Sequence, residues 1–194
     1  MILEADDAWR FIEGYKKLLC EIDGASKSRA KGSVVPKLAK ARAKLVKRPA
    51  LLQEAQARLV ARSESIDPEV LQAVEGLEVR DWVYLKDTKV HSVFMDAETK
   101  RAFAVLGLTD RLRDIVGGSG VVLETGLVCY RGRFVCDGLV YKKLWLGPNY
   151  KKSFNAAFSE MKANGRFYVK YDARTRSNLA QIKLIFEEGR HDKP

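Results

Sequence analysis

The spacing of apolar residues changes at Gly76, and this change restricts the fold more than any other feature of the sequence. Before Gly76, apolar residues recur at every third or fourth position, which is the period of an amphipathic helix. The first such set is Trp9, Ile12, Tyr15, Leu19 and Ile22. After Gly76, the segment EVRDWVYLK alternates in the manner of a strand. The sequence therefore predicts an α+β fold, with a helical region at residues 1–76. Residues 77–194 then form an α+β domain with an antiparallel sheet of about five strands packed by helices.

Start and stop signals divide the helical region into shorter predicted helices. The start signals are Asp6 or Asp7, then Gly32-Ser33 with Pro36 in the first turn, and finally Asp67-Pro68-Glu69. Gly24 suits the end of the first helix, and Pro49 breaks or restarts the second. These signals place the basic part of the chain on the second helix.

Turn signals divide the remainder into hairpins and further helices. VHSVFM and RAFAVLGL are predicted to pair around residues 96–99, and VVLETGLVCY pairs with RFVCDGLVY around Arg131-Gly132. Helices are expected after Thr109 and from Asn149, and FYVKY is expected to form a strand. The segment at residues 177–188 has helical spacing, although QIKLIF within it also fits a strand.

The composition is typical of a soluble globular protein. The 194 residues are 46% apolar and 31% charged, with a formal net charge of +10. No apolar run approaches the ~20 residues that cross a bilayer, and MILEADDAW does not resemble a secretory signal. Three cysteines without a CxxC pair suit a reducing compartment. We therefore expect a cytoplasmic protein without membrane contact, whose positive charge favours polyanionic partners.

Four segments between Asp81 and Tyr168 are distinctive: VHSVFM, AVLGLTDRL, YRGRFVCDGLV and NYKKSFNAAFSEMKANG. Together they resemble a module of a family of uncharacterised bacterial proteins, and RGRFVCDGLV is the most specific piece. The helical leader, with Trp9, Phe11 and RPALLQEAQ, is similar to the N-terminal part of that family. The resemblance implies an α+β fold and a bacterial protein. No activity, cofactor or catalytic residue is established for the family, so none is carried over.

The residue patterns that usually indicate catalysis or metal binding are missing from the sequence. His91, His191 and three scattered cysteines do not have the spacing of metal ligands. GGSG at residues 117–120 lacks the Lys-Ser/Thr of a phosphate-binding loop. Glu98-Thr99-Lys100 matches a nuclease triplet, but chance accounts for it and Glu98 falls in a turn. The sequence predicts no metal, no cofactor and no catalytic residue.

The second predicted hairpin contains three residues whose side chains could take part in chemistry, namely Cys129, Cys136 and Asp137. Cys129 and Cys136 lie on opposite strands, two residues off direct register, so a redox pair is one interpretation. Two small buried hydrophobic residues are the more usual one. Asp137-Gly138 indicates either a carboxylate in a cleft or a β-bulge. An enzyme using Asp137, Glu124 or Asp96 therefore stays open as an alternative.

The most unusual segment is KSRAKGSVVPKLAKARAKLVKR, residues 27–48, which holds nine Lys or Arg. No Asp or Glu occurs between Asp23 and Glu54. On a helix the following residues recur every three or four positions: Lys37, Lys40, Lys44, Lys47 and Arg48. Like charges at that spacing destabilise a helix by roughly 0.2–0.5 kcal/mol per pair. Phosphate binding is therefore as good an explanation as a solvated face.

A second basic segment, residues 142–176, has nine Lys or Arg against only Glu160 and Asp172. Six aromatic residues accompany it: Tyr141, Trp145, Tyr150, Phe167, Tyr168 and Tyr171. Cations mixed with exposed aromatic rings bind single-stranded nucleic acid. For this segment we favour the alternative in which the rings belong to the core and the lysines keep the surface soluble.

The preferred hypothesis is a non-catalytic protein that binds the phosphate backbone of DNA or RNA largely independently of sequence. The predicted contacts are Lys37, Lys40, Arg42, Lys44, Lys47 and Arg48, assisted by Lys142, Lys143, Lys151 and Lys152. Two alternatives stay open. One is a protein-interaction or regulatory module that binds an acidic protein, and the other is an enzyme, such as a metal-dependent nuclease, with an unrecognised site.

Overall fold

The computed structural model describes residues 1–24, 34–96, 98, 100–171 and 175, without the side chains of Lys142 and Lys143. Its helices are α1 (Ala5–Asp23), α2 (Val34–Lys47), α3 (Leu51–Val60), α4 (Pro68–Glu75), α5 (Leu112–Val116) and α6 (Pro148–Ala163). Its strands are β1 (Glu78–Asp87), β2 (Ser92–Asp96), β3 (Arg101–Leu106), β4 (Val121–Tyr130), β5 (Arg133–Cys136), β6 (Tyr141–Trp145) and β7 (Phe167–Tyr168). The α+β fold with an N-terminal helical region is confirmed. The predicted elements at residues 177–188 and the cations at 27–31 lie outside the described residues.

The strands form one mixed sheet that closes on itself. β2 pairs with β1 and β3, and β4 pairs with β1 and β5, all of them antiparallel. β5 completes the circuit by pairing with β3 in parallel. This order, β1-β2-β3-β5-β4-β1 with α5 between β3 and β4, resembles that of the OB fold. Outside the circuit, β6 pairs with β4 and β7 pairs with β3.

The predicted sheet differs from the observed one in two respects. It was expected to be antiparallel with about five strands, whereas the described residues form seven strands and β3 has two parallel neighbours. Both predicted hairpins are confirmed, and the β4–β5 turn contains Arg131 and Gly132 with φ of 49° and 71°. Hairpins are local, whereas a parallel pairing needs a long connection that leaves no turn signal in the sequence.

Alternation along the strands separates two sets of apolar side chains. The inward set, which includes Trp82, Tyr84, Phe94, Phe103 and Phe134, fills the closed sheet together with Leu112 and Val116 of α5. The outward set is covered by helices. Helices α1 to α4 share a core with Val128, Tyr130 and Val135 of β4 and β5. Residues Phe158 and Met161 of α6 pack on Val83, Val93 and Met95 of β1 and β2.

In OB folds the face around strands 2 and 3 commonly binds ligands. Here α6 covers that face with Phe158 and Met161. The outer face of β1, β4 and β6 is bordered by α2 instead, and a groove remains between α2 and the strands. Among the described helices, none is both long and apolar enough to span a membrane.

The helix boundaries agree with some of the sequence signals. Asp67 caps α4 by accepting a hydrogen bond from the Glu69 backbone N–H at 2.8 Å, and Gly24 ends α1 in the left-handed conformation. The prediction of Asp6 or Asp7 as the first cap is wrong, because α1 begins at Ala5. Trp9 is 58% exposed, so it lies outside the buried face of α1.

Candidate nucleic-acid interface

The inner face of α2 directs Arg42 into the interior, where its side chain is 3% exposed. Arg42 Nη1 donates to Asp137 Oδ2 at 2.9 Å and to the Leu139 carbonyl at 2.6 Å. Asp137 also accepts hydrogen bonds from the hydroxyls of Tyr15 and Thr125 and from the backbone N–H groups of Gly126 and Leu139. The prediction that Arg42 contacts phosphate is therefore corrected: its guanidinium is bonded to Asp137 and Leu139 and joins α2 to the sheet.

Burial and neighbouring charges shift the pKa values of three groups in this buried network. Burial, together with the Asp137 carboxylate, raises the pKa of the Tyr15 hydroxyl well above its ordinary value, so Tyr15 stays a donor. Burial acts to lower the pKa of Arg42, but the Asp137 carboxylate outweighs it and the pKa is raised. Burial raises the pKa of Asp137, whereas the Arg42 guanidinium and the backbone N–H groups of Leu139 and Gly126 act to lower it. Asp137 is thus surrounded by donors and held beside a cation, which is the environment of a structural carboxylate.

Asp96, another of the three carboxylates predicted as enzymatic groups, is also held by cations. Asp96 is 3% exposed, and its Oδ2 accepts hydrogen bonds from Arg80 at 3.2 Å and from Arg101 at 3.0 Å. Cys129 and Cys136 stand two residues off direct register, as predicted. Burial raises the pKa of the Cys136 thiol to about 12, which keeps the thiol protonated and unreactive. Within the described ranges, no three His, Cys, Asp or Glu side chains form a group that could hold a metal ion.

The cations predicted on the outer face of α2 fall into two groups. Lys44 pairs with Asp23 of α1 at 2.7 Å, and Arg48 pairs with Glu54 of α3. Lys37, Lys40 and Lys47 have no carboxylate within ion-pair distance among the described residues. Neighbouring helices thus supply the neutralising charges that the basic segment itself lacks. The positive charge of α2 that remains uncompensated is concentrated on three lysines.

Two of these lysines line a concave surface on this side of the sheet. We call it the α2 groove, a cavity of about 700 Å³ between α2 and the outer face of β1, β4 and β6. It is lined by Pro36, Ala39, Lys40, Arg42, Ala43, Val46, Lys47, Val79, Arg80, Asp81, Glu124 and Tyr141. Lys40 and Lys47 are exposed, and Tyr141 is 54% exposed. The groove therefore brings together two lysines of the basic segment 27–48 and one of the aromatic rings that accompany the second basic segment, residues 142–176.

The floor of the α2 groove contains a row of three side chains from adjacent strands. Asp81 of β1 is the direct partner of Glu124 of β4, and Glu124 is the direct partner of Tyr141 of β6. Direct partners project from the same face of a sheet, and neighbouring strands are about 4.8 Å apart. Glu124 also lies 3.9 Å from Arg42 Nη2. A phenol ring and two carboxylates consequently share the floor beneath the lysines.

The aromatic residues of the second predicted cluster are divided between surface and interior. Tyr141, Trp145 and Tyr150 are more than half exposed, so the preference for a core role is wrong for these three. Tyr168 is buried and Phe167 is half-buried, as a core role requires.

The assisting lysines of that cluster belong to α6 and β6. Lys151 and Lys152 are exposed in the first turns of α6, and neither lines the α2 groove. Lys142 and Lys143 belong to β6, next to Tyr141, but their side chains are outside the described part of the chain. Sequence reasoning missed Asp81, because its position opposite Glu124 depends on the pairing of β1 with β4.

No protein-family model, curated protein or solved structure matches this chain, so its function is argued from its own residues. The resemblance to a bacterial family stays a prediction.

Proposed function

We propose that this protein is a non-catalytic binder of single-stranded nucleic acid and that the strand lies in the α2 groove. Lys40 and Lys47 hold phosphates, and Tyr141 stacks against a base. The observation that supports this most strongly is the meeting of two uncompensated lysines and an exposed ring in one concave surface. Basic groups that follow the backbone, together with rings that stack on bases, form the usual site for single strands.

The ring is the reason to prefer a single strand over a duplex. A base stacks on an aromatic side chain only when its faces are free, whereas the bases of a duplex are stacked on each other. Tyr141 lines the groove together with the lysines of α2 and is 54% exposed, so a base that enters the groove can stack on its ring. A duplex offers only phosphates to Lys40 and Lys47 and leaves Tyr141 unused.

The surface beyond the groove supports further contacts. Leu144 is paired with Val122 and Tyr141 with Glu124, which are alternate residues of β4, so Leu144 and Tyr141 share one face. Leu144 is 69% exposed. Next along the chain come the exposed Tyr150, Lys151 and Lys152 of α6. We propose that Tyr150, Lys151 and Lys152 add contacts to a strand that extends beyond the groove.

The OB arrangement supports the proposal by analogy only, because one fold serves many functions. Oligonucleotides and oligosaccharides are the common ligands of this fold. Since α6 covers the usual face, the proposed site depends on the additions to the fold, α2 and β6.

The test is binding of a labelled oligonucleotide of about 12 nucleotides, measured by fluorescence anisotropy over a range of salt concentrations. We expect the single strand to bind more tightly than a duplex of equal length. If about five phosphates are neutralised, log K falls with a slope near −3.5 against log salt, since each contact on a single strand contributes about −0.7. In the double variant Lys40→Gln and Lys47→Gln, we expect the slope of log K against log salt to become less steep by about 1.4.

The matched control is the double variant Lys162→Gln and Lys170→Gln, which removes two exposed charges outside the groove. The proposal predicts that this control keeps most of the affinity and slope. Equal losses in both double variants, a slope near zero, or equal affinity for duplex and single strand each contradict it. Purified protein that retains an acidic protein, with no excess absorbance at 260 nm before a high-salt wash, favours the alternative of a protein-interaction module.

A further inference from the structure

The pairing of Asp81 with Glu124 is unfavourable for the sheet taken alone. Two carboxylates directly opposite each other on neighbouring strands repel, and such pairs destabilise a sheet. Arg42 lies 3.9 Å from Glu124, but Asp81 is exposed and has no ion-pair partner among the described residues. Departures from local rules of this kind are expected where a surface serves a ligand. The carboxylates also lie in the groove that contains Lys40, Lys47 and Tyr141.

This charge distribution orients a nucleic acid strand. Phosphates are repelled from a floor that holds two carboxylates and attracted to the lysines of α2 at its side. The bases therefore face the floor, where Tyr141 offers a ring and Glu124 lies one strand spacing away, about 4.8 Å. Asp81 lies one further strand away in the same row. A base stacked on Tyr141 would therefore lie within reach of the Glu124 carboxylate.

We propose that the Asp81–Glu124–Tyr141 row selects bases that carry an exocyclic amino group, an inference that rests on the proposed function. An ionised carboxylate only accepts hydrogen bonds. Cytosine, adenine and guanine donate from an amino group, and acceptance from the cytosine N4 amino group by Glu or Asp is a known recognition contact. Thymine and uracil carry a carbonyl oxygen at C4, where cytosine carries its amino group, so at that position an acceptor faces the carboxylate and only N3–H is left to donate. The groove thereby discriminates against thymine and uracil.

Oligo(dC) and oligo(dT) of about 12 nucleotides form the test pair, because the two pyrimidines have similar size and backbone but differ at the C4 substituent. Dissociation constants are measured by anisotropy at one salt concentration and neutral pH. We expect oligo(dC) to bind about 5- to 10-fold more tightly than oligo(dT), as one or two hydrogen bonds to a charged group predict. In Asp81→Asn and in Glu124→Gln the ratio falls toward one, because an amide donates to carbonyl oxygens as well as accepting.

The ratio distinguishes selection from plain repulsion. If the carboxylates only repel phosphate, each variant strengthens binding of both oligonucleotides by the same factor and leaves the ratio unchanged, and the inference is wrong. Equal affinity of the unmodified protein for both oligonucleotides also overturns it while leaving the proposed function intact. Failure to bind either one contradicts the proposed function as well. Glu75→Gln, at the end of α4 and outside the groove, is the control and keeps the ratio of the unmodified protein.

Discussion

Helix α2 presents cations on two faces, and their surroundings differ. On the inner face, Arg42 is bonded to Asp137 within a network in which every oxygen of the carboxylate has donors. On the outer face, Lys40 and Lys47 border the α2 groove and have no ion-pair partner among the described residues. The inner cation contributes to holding the helix on the sheet, whereas the outer cations add little to the stability of the fold.

The comparison shows why positive charge in a sequence does not by itself identify a binding surface. Removing a buried charge leaves its partner unpaired in a medium of low dielectric constant, which destabilises the fold strongly. Removing an exposed, uncompensated lysine relieves repulsion or has almost no effect on folding. Stability and binding should therefore respond in opposite ways to substitutions on the two faces.

The largest effect is expected for Arg42→Met. The substitution leaves the Asp137 carboxylate buried without its cation, so we expect the free energy of unfolding to fall by about 3–5 kcal/mol. Urea denaturation followed by circular dichroism measures the change. The control is Lys47→Met on the outer face, for which we expect a change within about 0.5 kcal/mol. Similar losses in the two variants would mean that the faces do not differ as described.

A second test concerns the space around the inner network. A Cβ at Gly126 would lie 2.4 Å from Asp137 Oδ2 and 2.7 Å from Leu77 Cδ1. We expect Gly126→Ala to lower the free energy of unfolding by roughly 1–3 kcal/mol, because the buried carboxylate has to move from its donors. Gly76→Ala is the control, since its Cβ meets no atom closer than 3.7 Å. If both variants unfold at the same urea concentration, the network tolerates displacement and is less rigid than its contacts indicate.

A pH-dependent test uses Glu21, an inner carboxylate that joins α1 to α3. It accepts from Arg62 at 2.6 Å and from Arg58 at 2.8 Å, and its side chain is 7% exposed. The hydrogen bonds from Arg62, followed by those from Arg58, lower the pKa of Glu21 from its ordinary value of 4.5. A lowered pKa in the folded state means that the stabilisation is complete above pH 4.5 and is lost as the pH falls through the folded-state pKa.

We therefore expect Glu21→Gln to cost about 1 kcal/mol at pH 7, a modest value because both arginines are partly exposed. The difference from the unmodified protein should shrink as the pH falls below 4.5, as followed by urea denaturation at several pH values. A difference that stays constant across this range would assign the loss to packing and not to the ionised carboxylate.

The local parts of the fold could be predicted from the sequence, and the non-local parts could not. The change of period at Gly76, the cap at Asp67 and the turn at Arg131-Gly132 depend on neighbouring residues, and the structure confirms them. Closure of the sheet requires β1 to pair with β4, and no residue near either strand indicates that partner. The parallel pairing of β3 with β5 is hidden in the same way.

The same distinction between local and non-local features applies to the candidate site. Lys40 and Lys47 could be predicted because helical spacing places them on one face. Arg42 was grouped with them by charge, although it lies in the stripe formed by Leu38, Ala41 and Leu45, a signal that it faces the core. The row of Asp81, Glu124 and Tyr141 needs the register of three strands, and only the structure supplies it. Exposure of Tyr141 follows from the place of β6 at the end of the sheet path.

The smallest expected effect compares two lysines of the outer face, one neutralised and one not. Lys44 lies 2.7 Å from Asp23, whereas Lys47 borders the α2 groove without a carboxylate in ion-pair distance among the described residues. We expect Lys47→Gln to reduce the steepness of the salt dependence of single-strand binding by about 0.7, the contribution of one phosphate. Lys44→Gln should change it by less than half as much, because Asp23 already offsets that charge. Equal reductions would show that α2 acts through a diffuse positive field. They would contradict the proposal that the strand is held in the α2 groove.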